Sequence, residues 1–511
     1  MKFLGTTISK PRGFLMNFER TSGILLHPTS LPGPYGIGDL GAEAYAWIDF
    51  VSESGCGIWQ ILPLGPTGYG DSPYQCFSAF AGNPYLISLG KLLEGGLLTE
   101  SDLEDMPDFN PQEVDFGQLI PWKLGVLDKA FKRFEKQSDL QTEYATFQEA
   151  QARWLEDFAL FMALKDAHGG RPWSDWDMPL RMREDRAIAE ARQSYAEEVE
   201  KQKFRQFIFF RQWEQIRAYC HQKNVQIVGD IPIYVSHDST DVWVRPDLYY
   251  MDDEGQPTVV AGVPPDYFSK TGQLWGNPIY RWDVHAKNGY AWWLARLRSV
   301  LSLVDVIRLD HFRGFAGYWE IPAGNETAEE GRWVKGPGDD FFQTVRKALG
   351  ELPLIAEDLG EITPDVFEMR DKFELPGMKI LQFGFADGPD DPFLPHMYPE
   401  NCVAYTGTHD NDTVVGWFDS ATPHEREFCL RYLGVTGEDI AWDMIRALWA
   451  SRANVVVAPL QDFLSLGTEA RMNFPSTLGG NWQWRTTNGA LSDGLKQKIA
   501  SLNKDYDRYM G

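Results

Sequence analysis

Eight short, apolar, β-rich segments, each ending in polar or charged residues, constrain the fold of this 511-residue chain most strongly. Near-continuous apolar runs are typical of parallel strands that are buried on both faces. Helical patterns lie between several of them, such as Tyr45, Ile48 and Val51 before the second segment. This alternation predicts an α/β fold, a (β/α)8 TIM barrel. The eight segments are 23–27, 58–64, 225–235, 304–310, 353–357, 378–385, 402–409 and 454–460.

Two long segments interrupt the regular spacing of the predicted strands. Residues 91–222 carry amphipathic stripes and are predicted to form a helical insertion. Residues 237–300 are rich in Gly, Pro and Asp and are predicted to form a subdomain of long loops over the active site. We therefore expect a tail at residues 1–20 and one catalytic barrel at 21–511, without a separate C-terminal β-domain. The stripes are Leu124, Leu127, Phe131 and Phe134; Trp154, Phe158 and Phe161; and Phe209, Trp213, Ile216 and Cys220.

Charge and cysteine usage exclude several classes of function. The formal net charge of −25 repels phosphate backbones and anionic lipid surfaces, so neither nucleic acid nor membrane is an expected partner. No apolar run is long enough for a transmembrane helix. Five widely spaced cysteines without a CxxC pair argue against a disulfide framework and a zinc ribbon, and favour a reducing, cytoplasmic compartment.

Two further features have competing explanations. An aromatic content of 14%, with 19 tryptophans, is compatible with a large aromatic core or with a groove for sugar rings. Residues 36–41 spell GIGDLG, which matches the glycine spacing of a dinucleotide site. A run rich in Pro and Ser separates these glycines from the preceding strand, so a tight turn before a helix is the better interpretation.

Three predicted strands end in acidic side chains, which are Asp310, Glu357 and Asp410. In a barrel of this type the C-terminal strand ends form the active site. Arg308 shares a strand face with Asp310 and is expected to lower its pKa, as suits a nucleophile. A glutamate with a raised pKa on the neighbouring strand could donate a proton. Cleavage of a glycosidic bond requires such a pair of carboxyl groups.

Helix capping, ion pairing or metal binding could also explain strand-end acids. The segment from His409 to Asp412 offers metal ligands, but it lacks the spacing of an EF-hand loop. Because three strands deliver acids to one rim, beside Arg308 and His409, we favour a catalytic site without a metal.

The chain resembles the 4-α-glucanotransferases, the amylomaltase or disproportionating-enzyme family, which is glycoside hydrolase family 77 and is related to the α-amylases. The resemblance extends from about residue 20 to the C-terminus and rests on many motifs in the order of the family. A departure is Ser476, where the family often has glycine. The motifs include HPTSLPG, LPLGPTGYGDSPYQ, GDIPIYV, GVPPDYFSKTGQLWGNP, RLDHFRG, AEDLG, PGMKILQF, TGTHDNDT and RMNFPSTLGGNWQWR.

The resemblance implies a role for each matching residue. Asp310 would be the nucleophile, Glu357 the acid/base and Asp410 a stabilising carboxylate. Asp230 is expected to be a buried partner of Arg308. The residues expected to contact sugar are Tyr69, Tyr74, Asp266, Trp275, Arg308, Phe383, His409 and Asn481.

The resemblance also implies the reaction. Segments of α-1,4-glucan would move from a donor to the 4-hydroxyl of glucose or of another glucan, by a retaining double displacement without a cofactor. Malto-oligosaccharides and glucans derived from starch or glycogen would be the substrates. The carboxylates alone do not distinguish this from an α-amylase-like hydrolase, and a non-catalytic glucan-binding protein is the third alternative. The oligomeric state is not predicted.

Overall fold

Each of the eight predicted segments overlaps a strand, and these strands form one parallel sheet. The computed structural model describes residues 20–68, 70–265, 269–477 and 479–510. The strands of these residues are β1 (Thr21–Leu25), β2 (Ile58–Gln60), β3 (Gln226–Ile231), β4 (Val259–Val263), β5 (Gln273–Pro278), β6 (Val306–Leu309), β7 (Gly317–Pro322), β8 (Arg332–Lys335), β9 (Leu354–Ala356), β10 (Gly377–Ile380), β11 (Cys402–Tyr405) and β12 (Val455–Pro459).

The parallel sheet curls into a barrel with the order β10-β11-β12-β1-β2-β3-β6-β9. Its two end strands approach each other, because the amide of Ala356 donates to the carbonyl of Pro376 at 2.9 Å. Val455 and Val457 of β12 pack in the cluster inside the barrel, whereas Val456 between them packs in the outer, helical core. Both faces of each strand are therefore buried, which explains the continuous apolar runs and confirms the predicted (β/α)8 barrel.

Helices surround the sheet and form the larger insertion. The predicted turn at GIGDLG is present: Gly36 has a φ of +75°, and α1 begins at Ala42, directly after Gly41. The α-helices of the described residues are α1 (Ala42–Glu53), α2 (Leu89–Glu94), α3 (Phe116–Phe134), α4 (Ser138–Gln151), α5 (Leu155–Ala167), α6 (Met178–Arg181), α7 (Asp185–Ser194), α8 (Ala196–Gln222), α9 (Thr240–Val244), α10 (Trp282–Lys287), α11 (Ala291–Leu303), α12 (Gly338–Leu349), α13 (Pro364–Lys372), α14 (Val414–Ser420), α15 (Pro423–Leu433), α16 (Ile440–Ala450), α17 (Leu460–Phe463) and α18 (Asp493–Asp505).

The stripes of the helical segment are packing faces. The long helix α8 contacts α3, α4 and α5 of the insertion and also α1 of the barrel. Phe207 of α8 lies within ring-contact distance of Phe134, Tyr144 and Phe147. Leu124 and Trp154 are partly buried, and the other predicted stripe residues are buried. The insertion is thus held to the barrel by apolar contacts.

The segment predicted as long loops contains regular structure instead. It includes α9, α10, α11 and two strands, β4 and β5. Together with β7 and β8, which follow β6, these strands form a four-stranded antiparallel sheet of order β5-β4-β7-β8, in which β4 pairs with β7. The prediction of loops was wrong here because β4 pairs with β7 far along the chain. β4 is a short apolar run that was not assigned as a strand, and β5, which reads QLWGNP, lacks the apolar pattern of a barrel strand.

Among the described residues, no helix combines the length and the apolarity needed to cross a membrane.

Candidate active site

The C-terminal ends of neighbouring barrel strands bring the predicted acidic residues together. The register pairs Asp230 of β3 with Arg308 of β6, and Leu309 of β6 with Ala356 of β9. Asp310 and Glu357 each follow their strand by one residue. Because parallel strands end at the same edge, this register places the two carboxyl groups at adjacent strand ends.

Arg308 forms ion pairs with two acidic residues, Asp230 and Asp310. Its Nη1 lies 2.6 Å from Oδ2 of Asp230 and 2.9 Å from Oδ1 of Asp310. Arg308 and Asp230 are buried, whereas the Asp310 side chain is 28% exposed. The buried guanidinium is thus compensated by Asp230, while Asp310 keeps an oxygen accessible from the cleft.

The environment of Asp310 raises the proton affinity of its carboxyl group. Burial raises its pKa to about 6, and the charges of Asp230 and Asp410 add to this effect. Arg308 lowers the pKa, as predicted, but does not outweigh burial. The net direction is therefore opposite to the predicted one.

Glu357 is buried and is oriented by the loop that carries Asp310. Its Oε2 accepts a hydrogen bond from the amide of His311 at 2.6 Å, and its Oε1 accepts one from the amide of Leu359 at 2.9 Å. Burial raises the pKa of Glu357 to about 7, assisted by the charge of Asp310. The predicted raised pKa is present. His311 has a φ of +52°, a left-handed conformation that occurs at functional turns.

Asp410, which follows β11, is held by Asn473, a residue that was not predicted to belong to the site. Nδ2 of Asn473 donates to Oδ1 of Asp410 at 2.6 Å, and Nε2 of His409 lies 3.4 Å from Oδ2. Arg471 fixes this geometry, since it donates to the carbonyls of Asp410 and Asn473 at 2.6 and 2.7 Å. Burial opposes ionisation of Asp410, but His409 and Asn473 outweigh it and hold the pKa well below its usual range.

An aromatic group lies beside these acids. The rings of Tyr74 and His409 stack at 4.9 Å with an interplanar angle of 14°, and the Tyr74 hydroxyl donates to Oδ2 of Asp230 at 2.8 Å. Trp482 lies 5.9 Å from both rings and was also missed. Asn473 and Trp482 belong to a quoted motif, RMNFPSTLGGNWQWR. Neither carries a titratable group that would single it out in the sequence.

The other predicted sugar-contacting residues have varied surroundings. The ring of Trp275 meets the ring of His311 edge-on at 4.7 Å, and Phe383 is exposed. Asn481 is buried, and its amide is engaged within its own loop: Oδ1 accepts from Phe474, and Nδ2 donates to Thr477 O and Oγ1. The structure does not present the Asn481 amide as a free donor. The remaining two predicted residues, Tyr69 and Asp266, lie outside the described residues.

The loop that contains Asn481 has several left-handed residues. Ser476 has a φ of +65°, and Gly479 and Gly480 have φ values of +81° and +73°. Glycine adopts this conformation without the steric cost that a Cβ atom adds. The serine at position 476, where the family often has glycine, therefore keeps the turn but strains it.

Comparisons with known proteins identify the family of this chain. The family model described as 4-alpha-glucanotransferase matches residues 26–491. The 4-alpha-glucanotransferase of Thermus thermophilus is 54% identical over 96% of this chain and 100% of its own length. That of Synechocystis is 49% identical over 96% and 98%.

Solved structures lead to the same family. An amylomaltase from Streptococcus agalactiae, solved in complex with acarbose, has a TM-score of 0.94 and 41% identity, and the match covers 96% of this chain and 100% of that one. The amylomaltase of Corynebacterium glutamicum, at 17% identity and a TM-score of 0.78, shares the fold. The transferase prediction is thus confirmed over the hydrolase and the non-catalytic alternatives. The chain belongs to the 4-alpha-glucanotransferase family, glycoside hydrolase family 77.

Proposed function

We propose that Asp310, Glu357 and Asp410 carry out glucan transfer as a retaining double displacement. Asp310 attacks the anomeric carbon of an α-1,4-linked glucose while Glu357 protonates the departing 4-oxygen, so that a covalent glycosyl-enzyme forms and the leaving glucan is released. Glu357 then removes the proton from the 4-hydroxyl of an acceptor, which attacks the same carbon and frees Asp310. Two inversions give net retention.

The observation that carries this proposal is the arrangement of the two carboxyl groups at adjacent strand ends. Asp310 pairs with Arg308 and has a side chain that is 28% exposed, whereas Glu357 is buried and accepts hydrogen bonds from the amides of His311 and Leu359. The charge of Arg308 favours the ionised form of Asp310, and burial favours the protonated form of Glu357, whose pKa is raised. These are the protonation states that the first step requires. Asp410, whose pKa is lowered, stays ionised and is available to bind sugar hydroxyls.

The surrounding side chains suit a glucan chain. We assign Arg308, His409, Tyr74, Trp275 and Phe383 to sugar binding. The first three contact acidic residues of the site, Trp275 packs against His311, and Phe383, assigned by the family resemblance, has an exposed ring shortly after β10. Asp230 supports Arg308, and Asn481 holds its loop in place. Tyr69 and Asp266 are assigned to sugar binding by the family resemblance.

The proposed substrates are malto-oligosaccharides and α-1,4-glucans derived from starch or glycogen. A relative solved with acarbose, a saccharide analogue, supports this class of ligand. We place the protein in the cytoplasm, because all five cysteines are unpaired.

Incubation with maltotriose tests the proposed function. Transfer moves glucose units between molecules, so we expect free glucose and longer oligosaccharides at a constant number of reducing ends. Hydrolysis would instead raise the number of reducing ends. A sustained rise in reducing ends, or no change in any product, would refute the proposal.

The pH dependence of kcat/KM is expected to be a narrow bell. Activity should rise as the pH increases through about 6, where Asp310 loses its proton, and fall as it increases through about 7, where Glu357 loses its own. The two limbs are properties of the interacting pair. Initial rates with maltotriose between pH 4 and 10, under conditions where the protein stays folded, measure both limbs. A plateau extending well above pH 8 would contradict the role of Glu357.

Asn473 is expected to position Asp410. Asn473→Ala removes a hydrogen bond of 2.6 Å to a carboxylate, so we expect kcat to fall about 10- to 100-fold. Asn473→Asp places a second carboxylate beside Asp410 and should raise the pKa of Asp410. The added negative charge should also raise the pKa of Asp310, as the charge of Asp410 already does, and so move the acidic limb to higher pH. The pH profiles of kcat and kcat/KM measure both effects. Asn488→Ala, at an exposed asparagine of the same C-terminal region, is the control, and equal profiles for all variants would exclude the positioning role.

A further inference from the structure

One face of the small antiparallel sheet carries an exposed row of apolar side chains. In the register, Gly262 of β4 pairs with Leu274 of β5 and with Trp319 of β7, and Trp319 pairs with Trp333 of β8. Directly paired residues share a face of a sheet, so these four form one row. Trp333 is 41% exposed and Leu274 is 38% exposed.

This row faces away from the three catalytic carboxylates. Leu274 and Trp275 are consecutive residues of β5, so their side chains point to opposite faces. Trp275 contacts His311, directly after Asp310. The face that carries Trp333 is therefore the outer face of the sheet, and the cleft lies on the other side.

The Trp333 ring is held in a fixed orientation. The guanidinium carbon of Arg313 lies over the ring at 3.9 Å from its centroid, and the Trp319 ring meets it edge-on at 5.3 Å. Trp319 is itself fixed, since its Nε1 donates to the carbonyl of Ala328 at 2.9 Å. Arg313 covers one side of the indole, and the exposed surface leaves the other side to solvent. A rigid aromatic ring loses little conformational entropy when a ligand stacks on it.

Hydrogen-bond donors lie next to the Trp333 ring, and a glycine leaves room beside them. Within the described ranges, the indole N–H of Trp333 donates to no protein acceptor. Lys335, two residues further along β8, is exposed on the same face. Its partner in the register is Gly317, whose missing side chain leaves room between the strands. The surface thus combines an apolar plane with donors at its edge, as a pyranose ring with its C–H face and its hydroxyl rim requires.

The same arginine connects this surface to both catalytic loops. Arg313 follows Asp310 by three residues, and its Nη1 donates to the carbonyl of Glu361, four residues after Glu357. Its Nε donates to the carbonyl of Gly317 at 3.4 Å. The surface around Trp333 is therefore continuous with the loops that carry the proposed nucleophile, Asp310, and the proposed acid/base, Glu357.

We propose that Trp333 is the stacking platform of an accessory binding site for α-1,4-glucan chains on the outer face of this sheet. The identity of the occupant rests on the proposed function, since the glucan is the substrate of the cleft. Nucleic-acid bases also stack on indoles, but the net charge of −25 disfavours a polyanion. A neutral polysaccharide fits both the aromatic plane and the charge.

The test measures retention of the protein by amylopectin in native gels. We use Asp310→Asn as the background so that the polysaccharide is not remodelled. Adding Trp333→Ala should weaken retention about three- to tenfold, as expected for loss of one aromatic contact. Adding Trp333→Phe should restore part of it. Tyr509→Ala is the matched control, since this aromatic is 39% exposed and lies against Gly55, before β2, at the opposite end of the barrel.

Activity measurements separate the proposal from its alternatives. With Asp310 intact, Trp333→Ala should lower kcat/KM for amylopectin more than for maltotriose. Equal losses of kcat/KM on both substrates would mean that Trp333 acts only through Arg313 on the catalytic loops, and would overturn the proposed accessory site. Unchanged retention of the Trp333→Ala variant by amylopectin would also overturn it. If Trp333→Ala does not fold, Trp333→Thr is used in its place, because threonine favours the strand conformation and also lacks an aromatic ring. A wild-type protein that transfers maltotriose but is not retained by amylopectin would refute the accessory site and leave the proposed function intact.

Discussion

Replacing Asp310 by asparagine is expected to lower kcat for glucan transfer by roughly 10⁴-fold or more, as loss of a nucleophile does in other enzymes. An amide has nearly the same shape as the carboxylate but cannot form the glycosyl-enzyme. The fold should remain intact, because the buried charge of Arg308 keeps its partner Asp230 at 2.6 Å. Initial rates with maltotriose, together with the thermal unfolding midpoint, measure the two effects separately.

A matched control for this variant lies on the same rim of the barrel. Asp412 follows Asp410 by two residues, and its Oδ2 accepts from the Thr468 hydroxyl at 2.8 Å. Asp412→Asn changes the same chemical group without touching the proposed machinery, so its rate should stay within a few-fold of wild type. Near-normal turnover by Asp310→Asn would show that another group is the nucleophile.

Replacing Glu357 by glutamine should lower kcat with maltotriose by roughly 10²- to 10⁴-fold, the usual contribution of general acid–base catalysis. Glutamine has one side-chain oxygen where glutamate has two, so it preserves only part of the hydrogen bonding to the amides of His311 and Leu359. Thermal unfolding therefore checks that the fold of the variant is intact. With an α-glucosyl fluoride donor the leaving group needs no proton. The first step should then proceed, and the glycosyl-enzyme should accumulate for lack of a base.

Azide distinguishes this role from that of the nucleophile. It attacks the glycosyl-enzyme without base assistance, so it should restore turnover of the fluoride donor by Glu357→Gln and yield an azide product of retained configuration. The same addition should not produce a retained product with Asp310→Asn. Glu361→Gln is the control, since only the backbone carbonyl of Glu361 takes part in the contact with Arg313. Failure of azide to change the rate of Glu357→Gln would argue against its role as acid/base.

The barrel was predictable because the apolar character of each strand is visible in its own short segment of sequence. Each strand is buried on both faces, so its residues are apolar whatever the neighbouring strand is. The small sheet is not visible in this way, because β4 and β7 pair across a long stretch of chain and one face of the sheet is partly exposed. Local patterns do not contain that pairing, and the segment was therefore predicted as loops.

The eight barrel strands, the three acidic residues that follow strands on one rim and, through the motifs, the family were predictable from the sequence. The electrostatics of those carboxylates depend on the folded structure. Burial raises the pKa of Asp310 despite the adjacent Arg308, and Asn473, 63 residues after Asp410, helps to keep Asp410 ionised. Desolvation and hydrogen bonding depend on every group packed around a side chain, and most of those groups are distant in sequence.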